Sequence, residues 1–214
     1  MNIFKKLFNF YINASIHVAI AVVALTLITY IQFEISLNYL LLTFIFLSSI
    51  TGYNFVKFAP IAKLHHRSLT EQLRQIQIFS FVVFIVLLVC LFFIDTKIIA
   101  VCFVLGITTL LYAIPLGKKN LREVALLKVF IIAFIWASTT YILPFIKDSF
   151  QWKDIPKLIN YQFFERILWV VLLMIPFEIR DLRYDKKYLK TLVSTFGVWS
   201  VKFCATAILF ILLI

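Results

Sequence analysis

An all-α, polytopic bundle of transmembrane helices is the fold class this sequence predicts, and three observations predict it. Hydrophobic residues make up 63% of the 214-residue chain and charged residues only 14%. The mean hydropathy is +1.01, outside the range in which a soluble domain keeps a polar shell. The charges fall in short clusters between apolar runs, as loop charges do. With no compositional boundary, low-complexity linker or clear repeat, the chain reads as one helical domain, residues 1–214.

A helix needs about 20 apolar residues to cross the hydrocarbon core, and seven stretches approach or reach that length. The first, Ala14 to Ile31, follows Lys5 and Lys6. Basic residues ahead of an apolar run resemble a signal peptide, but no small-residue cleavage site follows, so the stretch reads as a retained span. The second runs from Asn38 to Phe58 and the third, carrying Cys90, from Ile76 to Ile94. Lys97 separates the third from the fourth, Ile98 to Ile114, which ends before Gly117, Lys118 and Lys119. The fifth, Val124 to Leu143, includes Lys128; the sixth, Phe163 to Phe177, lies between Lys157 and Arg180; the seventh, Val193 to Ile214, holds Lys202 and Cys204. The three cysteines sit in apolar runs without metal-ligand or CxxC spacing, which reads as reduced, packed thiols. No GxxxG pair occurs among four glycines, so 24 phenylalanines are expected to fill the interior or face lipid.

Basic residues sort these spans by side. Lys5, Lys6, Lys57, Lys63, Arg67, Arg74, Lys118, Lys119, Arg122, Lys128, Arg180, Arg183, Lys186, Lys187 and Lys190 fall on one set of loops; Lys97, Lys147, Lys153, Lys157 and Arg166 fall on the other. Fifteen against five places the N-terminus and the basic loops in the cytoplasm, and a bacterial inner membrane is the expected location. The net charge of +11 then reflects topology signals and anionic ligands rather than nucleic acid.

The segment richest in chemistry is Pro176-Phe177-Glu178-Ile179-Arg180-Asp181-Leu182-Arg183-Tyr184-Asp185-Lys186-Lys187. Glu178, Asp181 and Asp185 recur at i, i+3 and i+7, which puts three carboxylates on one face of a continuous helix. Such a face suits Mg²⁺, which bridges one or two carboxylates to substrate phosphates. A solvated helix end offset by Arg180, Arg183, Lys186 and Lys187 fits the same spacing. His65 and His66 are adjacent, hence on different helix faces, and His17 reads as a packed residue.

The run Arg180-Asp181-Leu182-Arg183-Tyr184-Asp185, followed by Lys190-Thr191-Leu192, resembles the second Asp-rich motif of the UbiA superfamily of intramembrane prenyltransferases. Leu111-Tyr112-Ala113-Ile114-Pro115-Leu116-Gly117-Lys118-Lys119, with Leu127-Lys128, is similar to that family's loop between its fourth and fifth helices. The resemblance implies transfer of a prenyl group from an isoprenoid diphosphate to a small acceptor. It further implies Mg²⁺ on Asp181 and Asp185, assisted by Glu178, and substrate contacts from Asn54, Arg67, Lys118, Lys119, Lys128 and Arg180. The family's first Asp-rich motif has no counterpart: Asn54 matches its Asn, but Phe55, Phe58 and Ala62 stand where aspartates are expected. The family also has about two further C-terminal spans. Three functions therefore stay open: an active prenyltransferase, an inactive relative that binds an isoprenoid lipid or serves as a membrane partner subunit, and a small transporter using Lys202 or Lys128.

Overall fold

A computed structural model describes residues 3–62, 71–113, 125–147, 149–181 and 192–213. All regular structure among them is helical, and each of the seven apolar stretches lies largely in helix. The helices are α1 (Ile3–Asn13), α2 (Ile16–Gln32), α3 (Tyr39–Ala62), α4 (Glu71–Leu91), α5 (Thr96–Ala113), α6 (Ala125–Ala137), α7 (Ile155–Leu158), α8 (Tyr161–Asp181), α9 (Leu192–Phe196) and α10 (Val198–Leu213). Among the described residues, three helical segments are long and apolar enough to cross a membrane by themselves, Tyr39–Phe58, Glu71–Leu91 and Leu127–Phe145, or up to five if two bent pairs each count as one span. α5 and α10 are apolar but shorter.

Helix starts are marked by short polar side chains that accept from otherwise unsatisfied N–H groups. Asn38 Oδ1 accepts from the Leu41 amide at 3.0 Å, Asp95 Oδ1 from the Lys97 amide at 2.6 Å, and Asn160 Oδ1 from the Phe163 amide at 3.2 Å. These serve α3, α5 and α8 respectively. Gly197, at φ +81°, separates α9 from α10, a left-handed step that glycine adopts without strain.

The described residues group into two compact units, residues 1–103 with 143–146 and residues 104–142 with 147–214. In the first, α3 packs between α2 and α4, around Ala19, Leu47, Ile50 and Val83. α1 and α2 meet at 59°. No glycine or proline makes that bend; Ser15 does, in the left-handed region at φ 61°.

In the second unit α6 packs on α8, and α8 on α10. Ala133 and Ala137 are fully buried on α6, four residues apart, an alanine version of the small-residue spacing that lets helix backbones approach closely. The helix then passes into a π-helical turn, Ser138–Ile142, and a 3₁₀ turn, Leu143–Phe145. Such wide turns inside spans free backbone carbonyls, and Thr139 and Thr140 Oγ1 donate to the carbonyls of Ile135 and Trp136 at 2.8 Å. Pro176 sits inside α8 without ending it; its missing N–H leaves the fourth carbonyl before it without a helical donor. Trp152–Leu158 precedes α8 at 64°.

Candidate functional site

Lys128, on the first turn of α6, and Glu178, on the last turn of α8, come from stretches fifty residues apart. Both are buried, and Lys128 Nζ lies 2.6 Å from Glu178 Oε1. The second carboxylate oxygen, Oε2, accepts the Leu192 amide at 3.1 Å, which ties the start of α9 to the end of α8. A buried charge is costly unless it is paired and hydrogen-bonded, and Glu178 meets both conditions. The apolar cluster of Ile175, Val193 and Val201 joins α8, α9 and α10.

This arrangement bears on the Mg²⁺ expectation. Glu178 has one oxygen on an ammonium and the other on an amide, so its bonding here is that of an ion-pair partner and a backbone cap rather than of an open metal ligand. No group of three His, Cys, Asp or Glu among the described residues could hold a metal ion. Asp185, Lys118, Lys119 and Arg67, and the side chains of Asp181 and Arg180, lie outside the described residues.

Asn54, matched to the family's first motif, occupies a different setting in the first unit. It is 3% exposed, and its Nδ2 donates to the Ala14 carbonyl at 3.1 Å and to Ser80 Oγ at 2.8 Å. Its Oδ1 is buried and has no hydrogen-bond partner among the described residues. One turn on, Lys57 Nζ donates to the Asn13 carbonyl at 2.9 Å. Two polar side chains of α3 thus hold the carbonyls that the α1–α2 break leaves free, and the Lys57 cation complements the negative end of α1.

Sequence reasoning missed a polar group at the opposite end of the α6–α8 pair. Tyr141, 1% exposed, donates from its hydroxyl to Asn160 Oδ1 at 3.0 Å. Arg166, assigned by its sequence position to a loop, is 5% exposed on α8, within electrostatic reach of Tyr141 and Glu165. It is therefore not a loop charge, and neither is buried Lys128. The available signal was positional: Arg166 already lay inside the apolar stretch Phe163 to Phe177. Lys202 is exposed on α10, its ammonium 5.5 Å from the Trp199 ring centroid. That pairing suits a helix surface near the interface, where lysine and tryptophan are common, and it gives the transporter reading no buried cation in α10.

Three polar contacts among the described residues thus stand out: the Lys128–Glu178 pair, the Tyr141–Asn160 bond and the Asn54–Lys57 clamp. No known protein family, curated protein or solved structure gives a match to this chain.

Proposed function

We propose that this chain is a divergent, UbiA-like membrane protein that binds an isoprenoid diphosphate at the Lys128–Glu178 end of α6 and α8 and transfers its prenyl group to a small acceptor. The observation that carries the reading is the ion pair itself. The sequence nominates Lys128 for the phosphate side of one site and Glu178 for the acidic side, from separate motifs, and the two side chains meet at 2.6 Å. A buried ammonium fixed by a carboxylate is already oriented when an anion arrives, which is what stabilising a leaving diphosphate requires. Lys118, Lys119 and Arg180 would add further phosphate contacts, as the resemblance implies. Asp181 and Asp185 are the residues that would hold Mg²⁺, whose charge would favour departure of diphosphate. The aromatic side chains of the bundle would keep water from an allylic cation. Seven spans, with the N-terminus and basic loops in the cytoplasm of a bacterial inner membrane, belong to the same proposal.

A specific observation favours the alternative, an inactive relative that binds an isoprenoid lipid or serves as a partner subunit. Where the first Asp-rich motif would supply metal ligands, Asn54 and Lys57 are bonded to the backbone of Asn13 and Ala14 instead, in a structural use.

Binding of a labelled polyprenyl diphosphate to the protein in nanodiscs, with and without Mg²⁺, separates the readings. Mg²⁺-dependent binding that weakens at least roughly tenfold in Asp181→Asn, with release of diphosphate on adding acceptors, is the result expected of the enzyme. Binding indifferent to Mg²⁺ and to the mutation, without release, supports the inactive relative. Absence of binding overturns the shared site.

A further inference from the structure

The first eleven described residues form a helix unlike the rest. α1 is strongly amphipathic. Plotted at 100° per residue, Lys5, Lys6, Asn9 and Asn13 occupy one arc, while Ile3, Phe4, Leu7, Phe8 and Tyr11 occupy the other. Ile3, Phe4, Leu7 and Phe8 are 62–76% exposed, so the centre of the apolar arc is not turned into the protein. The polar arc faces a cleft of about 240 Å³ that Lys6, Asn9 and Asn13 share with Glu71, Gln72 and Gln75 on the first turns of α4. A soluble amphipathic helix buries its apolar side and wets its polar side. Here the apolar side is open, and the polar side lines a hydrophilic cleft.

The angle of α1 is fixed rather than free. α2 turns away from it by 59°. Asn54 and Lys57 of α3 hold the carbonyls of Ala14 and Asn13 across the break, and the Phe10 ring packs edge-on against Phe79 of α4 at 5.3 Å. α2 is 17 residues long, about 25 Å at the helical rise, which nearly spans the hydrocarbon core without help from α1. If α2 tilts by the usual ~20°, α1 lies roughly 40–80° from the membrane normal.

We infer that α1 is an interfacial anchor, inclined in the headgroup layer of an anionic leaflet with Ile3, Phe4, Leu7 and Phe8 in the upper acyl region. The occupant of this surface is lipid rather than protein because two lysines, Lys5 and Lys6, stand beside an exposed apolar arc on one short helix next to a span, the combination that matches an anionic headgroup over hydrocarbon. The inference does not depend on prenyl chemistry. It gives Asn54 and Lys57 a task, since the clamp on the break sets the height and angle at which α1 meets the leaflet.

The test uses full-length protein in nanodiscs, with Cys90, Cys102 and Cys204 replaced by alanine and single spin labels introduced as Phe4→Cys, Lys5→Cys, Leu7→Cys, Phe8→Cys, Asn9→Cys and Ile12→Cys. Expected at positions 4, 7 and 8 is dominant oxygen accessibility at one shared shallow depth, about 5–10 Å into the headgroup–acyl boundary; positions 5 and 9 should favour the aqueous relaxant. Depth that increases steadily from position 4 to position 12 would overturn the proposal and make α1 the first half of a broken span. Aqueous accessibility at every position would overturn it as well. The charge requirement has its own arm. The pattern should hold in phosphatidylglycerol-containing discs and weaken in phosphatidylcholine discs and in Lys5→Glu with Lys6→Glu. An identical pattern under all three conditions would refute the anionic-lipid requirement.

Discussion

Taking a carboxylate and an ammonium out of water costs several kcal/mol per ion, and pairing offsets that cost only when the remaining hydrogen-bonding capacity is also met. Glu178 meets it through the Leu192 amide. Lys128→Ala therefore leaves a buried charge and should destabilise the protein by about 3–5 kcal/mol. Lys128→Met combined with Glu178→Gln removes both charges and keeps an acceptor for Leu192, and should return most of that loss; denaturation of both variants in detergent checks the pair. Lys128 and Glu178 were each legible as chemistry-bearing residues, Lys128 through the resemblance and Glu178 through spacing as well. Their partnership was not legible, because a contact across fifty residues depends on how α6 packs on α8, and helical periodicity carries no such information. Asn54 shows the same limit. Its identity matched a motif, but its bonds to Ala14 and Ser80 depend on a bend that sequence did not signal.

Local signals were strongest for the helices themselves. All seven apolar stretches lie largely in helix, since apolar length and loop charge are properties of contiguous residues. The breaks within them were harder to read, because Ser15 and the turn at Ser138–Ile142 involve no glycine or proline. The break at Gly197 likewise interrupts a stretch, Val193 to Ile214, that reads as one continuous span. With φ at +81° and no atom within 4 Å of the place a methyl group would take, Gly197→Ala should cost about 1–2 kcal/mol from backbone strain alone. Gly106, inside α5 and equally uncrowded, should gain up to about 1 kcal/mol on the same change. Opposite shifts in melting temperature would confirm that conformation, not space, distinguishes the two. At the α1–α2 break, Asn54→Ala removes two donated bonds and should cost about 1–3 kcal/mol, read as a lower melting temperature together with a changed spin-label distance between α1 and α2.

For the whole molecule, composition fixed the solvent before any element was assigned, and the described helices agree with a membrane protein having three to five helices able to cross by length and apolarity. Orientation rests on loop charge. In a cysteine-free background, Lys153→Cys should react with an impermeant maleimide from outside intact cells, and Lys6→Cys only after permeabilisation; the reverse would invert the topology. The buried pair also bears on how such a chain is assembled. A lysine at the centre of a lone helix raises the free energy of entering a bilayer by up to about 3 kcal/mol, and positions nearer the ends cost less. Here the compensating charge is on a helix synthesised later. Lys128 stands on the first turn of α6, so it bears only part of that cost, and the part it bears is relieved only after the later helix α8 has emerged with Glu178.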